Sequence, residues 1–175
     1  MIMSVSELRQ YVATDKDDQV LGGMLQALEI LIRAYTNNNF QMRAFRSKAD
    51  IVGDVIVCES LVPIKEGDTL QVSESRYNDG LYTVDSADGP SIRVKGSLIK
   101  ENRVLLTKVV YPPDVKMGVV NMMKWDLENR DKVGIQSETI SRHSVTYFNM
   151  DGDNSEAGYP KSLLGFLKPY RKARF

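Results

Sequence analysis

The chain has 175 residues and a mass of 19.7 kDa, enough for one medium domain or two small ones that fold without covalent cross-links. Its 23 basic and 23 acidic residues cancel, so no overall field draws the molecule to nucleic acid or to anionic lipid. The single cysteine excludes a disulfide framework, and the sequence has neither a signal-peptide pattern nor a run of about 20 apolar residues. We therefore expect a soluble protein made in a reducing compartment, with no membrane partner.

The first 40 residues predict two helices. Ser4 and Glu7 have the spacing of a capping box, which favours a short helix over residues 5–13. A second set of capping residues, 14–18, precedes apolar side chains at three- and four-residue steps. This pattern predicts a longer helix that ends near Tyr35, where three asparagines follow. Its predicted buried stripe consists of Leu21, Leu25, Leu28, Leu31, Ile32 and Tyr35.

Two adjacent glycines, Gly22 and Gly23, lie inside the second predicted helix. Each costs on the order of 1 kcal/mol of helix stability relative to alanine. Two interpretations remain open: another helix or subunit approaches closely at this point, or the helix has a local kink or a ragged start.

Residues 40–111 have a different pattern, with period-two alternation and many turn residues. Turn sequences occur at 65–68, 78–80 and 87–90, where glycine supplies positive φ and Asp or Asn bonds the local backbone. The predicted strands are residues 51–57, 70–72, 81–84, 92–94 and 104–110. Five strands at this spacing suggest a small antiparallel barrel or sandwich, which closes or covers its own edges, and we expect an SH3-like or OB-like mini-barrel of about 65 residues.

Helical periodicity returns after Pro112 and Pro113. Asp114 is placed to cap a third helix, whose apolar residues between 115 and 127 lie mostly on one side. Trp125 lies off that stripe. It either covers its own domain, which is the commoner arrangement, or fills a groove on a neighbouring molecule.

The remainder of the chain is less regular. Residues 132–148 are rich in β-branched and hydroxylic residues, which favours a hairpin or an extended loop. A flexible polar link at 151–158 is only faintly similar to a calcium loop, and residues 159–168 predict a short last helix. From Lys161 onward there are five basic residues and no acidic ones. We interpret the end of the chain as an arm that docks on an acidic partner surface or lies near DNA phosphates, with a frayed solubilising tail as the alternative.

The predicted fold class is therefore α+β. A small helical domain comprises residues 1–39 and 112–175, with a loop at 132–148 and a C-terminal arm at 167–175. The antiparallel β mini-barrel of residues 40–111 is inserted between its second and third helices.

No catalytic pattern is present in the sequence, so we expect that the protein is not an enzyme. His143 is the single histidine, which excludes mechanisms and metal sites built mainly from imidazole. Phosphate-binding glycine loops and nucleophile elbows are absent, and Cys58 lies in an apolar run where a buried, unreactive thiol is expected. We predict no cofactor and no metal.

Four segments carry a resemblance to a known family. They are residues 6–18 (SELRQYVATDKDD), 25–36 (LQALEILIRAYT), 134–147 (GIQSETISRHSVTY) and 167–172 (LKPYRK). In this order they resemble the opening helix with its acidic break, the long second helix, the Gly-Ile-x-Ser-Glu loop and the closing Leu-x-Pro-Tyr-Arg segment of the head-to-tail connector family of long-tailed bacteriophages. Residues 40–111 depart from the compact members of that family, although residues 76–84 are similar to β inserts of longer members from phages of Gram-positive bacteria.

The resemblance implies a structural virion protein at the head-tail interface, assembled in the cytoplasm of the bacterial host. Such head-completion adaptors form a homo-oligomeric ring of about twelve copies beneath the portal. The ring extends the channel through which the packaged double-stranded DNA is ejected. The implied partners are the portal protein, the next head-completion or tail protein, and DNA in transit.

The resemblance also implies two sets of contact residues. The arm would bind the portal or a neighbouring subunit, and the loop would face the channel or the next ring. The arm residues are Leu167, Lys168, Pro169, Tyr170, Arg171, Lys172 and Arg174. The loop residues are Gly134, Ile135, Gln136, Ser137, Glu138 and Arg142.

The alternative function is a binding module whose β insert holds single-stranded nucleic acid. OB-like folds do this with stacking aromatic side chains and a basic groove. The insert offers Tyr77, Tyr82, Arg76, Arg93, Lys95, Lys100 and Arg103.

Overall fold

The computed structural model describes residues 1–60, 63–132, 137–140, 143–146 and 153–173. The fold is α+β, as predicted, and contains a closed barrel of six antiparallel strands. The chain forms two compact units. The barrel unit comprises Met1–Ser4 and Asn39–Tyr111, and the helical unit comprises Val5–Asn38 and the chain from Pro112 onward.

The first four residues group with the barrel, whereas the sequence analysis assigned them to the helical domain. Ile2 and Met3 are buried, and the ammonium group of Met1 donates a hydrogen bond of 2.8 Å to the hydroxyl of Thr69. This pairing joins residues far apart in the sequence, so no local pattern indicates it.

The barrel closes in the order β1-β2-β5-β4-β3-β6, with β6 pairing back to β1. Its interior is filled by side chains that alternate along the strands, including Ile51, Ile56, Leu70, Ile92 and Leu106. The strands are β1 Gln41–Val52, β2 Val55–Cys58, β3 Thr69–Ser73, β4 Gly80–Asp88, β5 Ser91–Val94 and β6 Glu101–Val109.

The strand predicted over residues 51–57 is wrong, because this segment is a hairpin. Val52 pairs with Val55, and the chain reverses through Gly53, whose φ is +60°. The β-branched residues on both sides of the turn were interpreted as one strand, although the two residues between them, Gly53 and Asp54, have the composition of a hairpin turn. The thiol of Cys58, at the end of β2, is buried, and burial raises its pKa to about 11.

Glu101, the first residue of β6, organises the loop that joins β3 to β4. Its carboxylate accepts hydrogen bonds from the backbone of Arg76 at 2.6 Å, from the hydroxyl of Ser75 and from the side chain of Asn78 at 2.9 Å. These donors, led by the Arg76 backbone, lower the pKa of Glu101 below its ordinary value. The carboxylate therefore stabilises the folded loop in its charged form.

We expect Glu101→Gln to lower the melting temperature at neutral pH by a few degrees. The melting temperature of this variant should also decrease less than that of the wild type as the pH is lowered. A carboxyl group with a lowered folded pKa contributes stability above its unfolded pKa and loses that contribution as the pH falls. Thermal melts from about pH 7 to pH 3 measure this loss. The matched control is Glu66→Gln, at an exposed acid of the same unit. An acid dependence of E101Q as steep as that of the wild type would refute the role of this carboxylate.

The helical unit contains α1 Val5–Leu8, α2 Asp18–Thr36, α3 Pro113–Asn129 and two 3-10 helices, Arg130–Lys132 and Lys161–Tyr170. The second 3-10 helix is called the C-terminal helix below. In α2 the side chain of Asp17 caps the backbone of Val20 at 2.8 Å, and Asn37 ends the helix in the left-handed conformation. The predicted stripe is largely buried, including Leu21, Leu25, Leu28 and Ile32.

Helix α1 is shorter than the predicted helix over residues 5–13. After Leu8, turn-type backbone hydrogen bonds continue as far as Val12. The guanidinium group of Arg9 donates to the carbonyls of Thr14 and Lys16 and binds the carboxylate of Asp18, so it ties the segment after α1 to the first residue of α2.

The start of α3 also differs from the prediction. Pro112 occupies the N-cap position without a side-chain hydrogen bond, and Pro113 begins the helix. Because proline has no backbone N–H, the first turn has one donor fewer to satisfy. Asp114 is not the N-cap residue, but its carboxylate accepts a hydrogen bond from the backbone N–H of Val115 at 3.0 Å, so it still satisfies a donor of the first turn.

Two small hairpins follow α3. Strand β7, Ser137–Ile140, pairs with β8, His143–Thr146, within the segment where a hairpin or extended loop was predicted. Strand β9, Ser155–Glu156, pairs with β10, Tyr159–Pro160. A flexible link was predicted at 151–158, but its described residues turn tightly at Ala157 and Gly158, both with positive φ. The helix predicted over residues 159–168 begins at Lys161, because Tyr159 and Pro160 form strand β10.

Among the described residues, no helix has the length and apolar character that crossing a membrane requires.

Candidate interaction site

The C-terminal helix packs directly on α3. Leu164 and Leu167 are buried, and the ring of Phe166 lies against the backbone of Gly118. A β-carbon at position 118 would overlap three atoms of that ring. The absence of a side chain at Gly118 therefore allows the two helices to approach this closely.

The described part of the arm, residues 167–173, covers the end of α2. The backbone N–H of Lys172 donates to the carbonyl of Thr36 at 2.8 Å, and the side chain of Asn37 donates to the carbonyl of Ala173 at 2.8 Å. The last carbonyls of a helix have no partner within the helix itself. The arm thus supplies part of the α2 C-terminal cap.

Two side chains of the arm add further contacts. The hydroxyl of Tyr170 donates to both carboxylate oxygens of Asp114 at 2.8 Å, and this hydrogen bond raises the pKa of Tyr170. The guanidinium carbon of Arg171 lies 4.9 Å from the centre of the Tyr35 ring. The arm therefore connects the end of α2 with the first turn of α3.

The predicted arm residues divide into two groups. Leu167 is fully buried and Tyr170 is half-buried, so these two hold the arm on its own helical unit. The exposed arm residues are Lys168, Pro169, Arg171 and Lys172. Arg174 lies outside the described residues. The exposed surface of the arm consequently carries three positive charges that a partner could bind.

A buried carboxylate, Asp126 of α3, binds residues on either side of the segment 131–157. One oxygen of this carboxylate accepts hydrogen bonds from two nitrogens of Arg130, and the other accepts one from the hydroxyl of Tyr159 at 2.5 Å. Burial, followed by this hydrogen bond, raises the pKa of Tyr159 well above its ordinary value. Arg130 also donates to the carbonyl of Gly158 at 3.0 Å.

Two aromatic rings flank the Arg130 guanidinium. Its central carbon lies 4.7 Å from the centre of the Tyr159 ring and 5.0 Å from that of Trp125. The two rings are 5.4 Å apart. Trp125 therefore covers its own unit, which is the commoner of its two predicted roles. Arg130 precedes the hairpin and Tyr159 follows it, so this cluster fixes both ends of the intervening segment.

Of the predicted loop residues, the backbone of two is described. Ser137 pairs with Thr146, and Glu138 pairs with Val145. Gly134, Ile135, Gln136 and Arg142 lie outside the described residues. An isolated two-stranded hairpin is at most marginally stable in water, and it gains stability by packing against another surface.

A groove of about 310 Å³ opens between α2 and the Asp126 cluster. The walls of the groove are mainly apolar. Asp126 and Arg130 in its lining form an ion pair, so their charges cancel each other. The lining residues are Met24, Ala27, Leu28, Leu31, Asp126, Arg130 and Tyr159.

The aromatic and basic residues of the barrel do not form a uniformly positive surface. Tyr77 is 59 % exposed beside Arg76, but the hydroxyl of Tyr82 is bound to the carbonyl of Asn78. Residues 39–111 contain ten basic and ten acidic residues. The barrel unit therefore has no net charge, although four of the basic residues predicted to contact nucleic acid are exposed: Arg93, Lys95, Lys100 and Arg103.

Sequence reasoning missed the Asp126 cluster. Asp126 and Arg130 are four residues apart on one helix, which is a recognisable ion-pair spacing. The contact with Tyr159 spans 33 residues and the hairpin between them, so no sequence pattern indicates it.

Within the part of the chain that the structure describes, no group of three or more His, Cys, Asp or Glu side chains could hold a metal ion. No family model matches the chain, and no curated protein matches it either.

Proposed function

We propose that this chain is a structural, non-catalytic virion protein that joins a phage head to its tail. It forms a ring of about twelve copies beneath the portal and extends the DNA channel. Its site of action is the head-tail interface of the virion, after assembly in the host cytoplasm. Its partners are the portal, neighbouring copies, the next head-completion or tail protein, and DNA in transit.

The exposed basic surface of the arm is the observation that carries this proposal. Leu167 and Tyr170 fasten the arm to the helical unit, while Lys168, Arg171 and Lys172 remain exposed. A preorganised segment loses less conformational entropy on binding than a free tail does. Its charge suits an acidic surface on the portal or on a neighbouring subunit.

The β7–β8 hairpin supports the same proposal. Its two strands pair with each other, and the Asp126 cluster joins residues that precede and follow this segment of the chain. In the proposed ring the loop of residues 134–147 faces the channel or the next ring, where packing would stabilise a hairpin that is marginal alone. We further propose that the inserted barrel is SH3-like or OB-like, on the basis of its size and closure.

Native mass spectrometry of the protein with the portal ring of the same phage tests the function. We expect stoichiometric decoration of the portal ring by the wild type. The triple variant Lys168→Glu, Arg171→Glu, Lys172→Glu should bind roughly tenfold more weakly or worse, because its charges repel an acidic surface.

The matched control reverses three charges on the barrel: Arg93→Glu, Lys95→Glu and Lys100→Glu. This variant has the same net charge as the arm variant and should bind the portal like the wild type. Equal losses in the two variants would contradict a specific role of the arm. Failure of the wild type to bind at any concentration tried would contradict the connector function itself.

A second candidate function is binding of single-stranded nucleic acid by the barrel, which the exposed Tyr77 beside Arg76 favours. Salt-dependent retention of the protein on single-stranded DNA, lost in Tyr77→Ala, would support it. No retention at low salt would dismiss it.

A further inference from the structure

Burial changes abruptly along the arm after Leu167. Up to this residue the C-terminal helix is anchored by apolar side chains, because Leu164 and Leu167 are buried and the ring of Phe166 packs on α3. Of the next six residues, 168–173, five are exposed and Tyr170 is half-buried. We call these six residues the strap. Since none of them is fully buried, the position of the strap depends mainly on polar and ring contacts.

Side-chain hydrogen bonds at the surface hold the strap. The hydroxyl of Tyr170 donates to both carboxylate oxygens of Asp114. The side chain of Asn37 donates to the carbonyl of Ala173 at 2.8 Å. The side chain of Asn38 donates to the carbonyl of Tyr170 at 3.1 Å. The bonds to Asp114 and Ala173 are exposed, so water competes for the same groups and each bond contributes little to stability.

The junction between the strap and the C-terminal helix is weak. Pro169 lies inside this helix and has no backbone N–H, so it cannot donate a hydrogen bond to the preceding turn. The last turn closes with a bond from the N–H of Arg171 to the carbonyl of Lys168, and its length of 3.3 Å exceeds the usual range. The chain can therefore change direction here without disturbing the buried Leu167.

The remaining contacts of the strap follow without a gap. The backbone N–H of Lys172 donates to the carbonyl of Thr36 at 2.8 Å, and the guanidinium group of Arg171 lies over the ring of Tyr35. Each of residues 170–173 thus makes a contact of its own, and the loss of one contact removes a constraint on its neighbours. A segment with few buried apolar contacts opens locally at a lower free energy than the unit that it belongs to.

We propose that the strap opens and closes on the ends of α2 and α3 as one unit, and that Tyr170 and Asn37 position the basic surface of the arm by holding the strap closed. In the closed state Lys168, Arg171 and Lys172 are held in one arrangement, which the open state loses. A partner that binds the closed arrangement binds more weakly as the closed fraction falls. The effect on binding rests on the proposed function, whereas the opening of the strap does not.

Hydrogen exchange measured by NMR on the full chain tests the opening. Tyr170→Phe keeps the ring and removes the hydroxyl, so the amides of Arg171 and Lys172 should both exchange roughly fivefold faster. The amide of Met122, in the middle of α3, should exchange at the wild-type rate. The control Tyr11→Phe removes the hydroxyl of an exposed tyrosine in the same unit and should leave the exchange of Lys172 unchanged.

Asn37→Gly tests the strap from its other side. Asn37 has a φ of 49°, in the left-handed region that glycine adopts without strain, so the end of α2 is preserved while the bond to Ala173 is lost. This variant should also speed exchange of the Arg171 and Lys172 amides. Wild-type exchange at Lys172 in both variants would overturn the proposal. An equal acceleration at Met122 would also overturn it, because the whole unit would then be opening.

The double variant Tyr170→Phe, Asn37→Gly tests the effect on binding. Its charges are those of the wild type, so a loss of affinity reports the position of the basic side chains and not their number. We expect it to bind the portal ring about fivefold more weakly in a titration followed by native mass spectrometry. Wild-type affinity, in a double variant whose strap exchanges rapidly, would overturn the positioning role. A wild type that does not bind the portal would overturn both that role and the proposed function, while exchange alone decides whether the strap opens.

Discussion

Asp126→Ala is expected to lower the free energy of unfolding by about 2–3 kcal/mol. The loss is not larger because Arg130 is partly exposed, so solvent screens its interaction with the carboxylate. The substitution removes three hydrogen bonds and leaves the buried hydroxyl of Tyr159 and the stacked Arg130 without their shared acceptor. Urea unfolding followed by circular dichroism measures the loss. The neighbouring exposed acid provides the control, since Glu128→Ala should change stability by less than about 0.5 kcal/mol.

A double-mutant cycle separates this network from a general effect of the substitution. Tyr159→Phe keeps the ring beside Trp125 and should cost about 1 kcal/mol. Because both changes disrupt the same hydrogen bond, the double variant should lose less than the sum of the single losses. Strict additivity would show that Asp126 and Tyr159 do not stabilise the helical unit through a shared interaction.

The second large effect is expected for Gly118→Ala, which should lower the free energy of unfolding by about 1–3 kcal/mol. The added methyl group overlaps the ring of Phe166 and forces the C-terminal helix away from α3. Gly23→Ala is the matched control, with open space at the new β-carbon, and should stabilise the protein by up to about 1 kcal/mol. Thermal and urea unfolding of both variants measure these changes in the free energy of unfolding, which should have opposite signs.

Gly118→Ala should also affect the arm, because residues 167–173 continue directly from the displaced helix. Hydrogen exchange of the Lys172 amide, which bonds to Thr36 in the wild type, should become faster. A Gly118→Ala variant with wild-type stability would show that the ring of Phe166 can move aside without disturbing the packing.

The parts of the fold that are coded locally were predictable from the sequence. Helix α2 combines an apolar stripe with capping residues at both ends, Asp17 and Asn37, so pattern and caps agree. The antiparallel β unit was indicated by its turn residues, but the pattern allowed either a barrel or a sandwich, since both cover strand edges. The hairpin at Gly53 and Asp54 was missed because the β-branched residues on both sides were interpreted as one strand.

Features that depend on distant contacts were not predictable. The strand β1 begins at Gln41, ten residues before the predicted one, because its pairing with β6 is set by residues around 104–109. The Asp126 cluster and the arm docking join segments separated by a hairpin or by the whole barrel. The positive charge of the arm was evident from the sequence. Its two groups of residues were not: Leu167 and Tyr170 attach the arm to the helical unit, whereas Lys168, Arg171 and Lys172 are exposed.

Electron microscopy of the portal ring, imaged alone and after incubation with this protein, is the most direct test of the proposed connector function. We expect an added ring on the portal axis, with about twelve copies and the arm of each copy at the portal surface. A portal that carries no added ring at any protein concentration tried would contradict it.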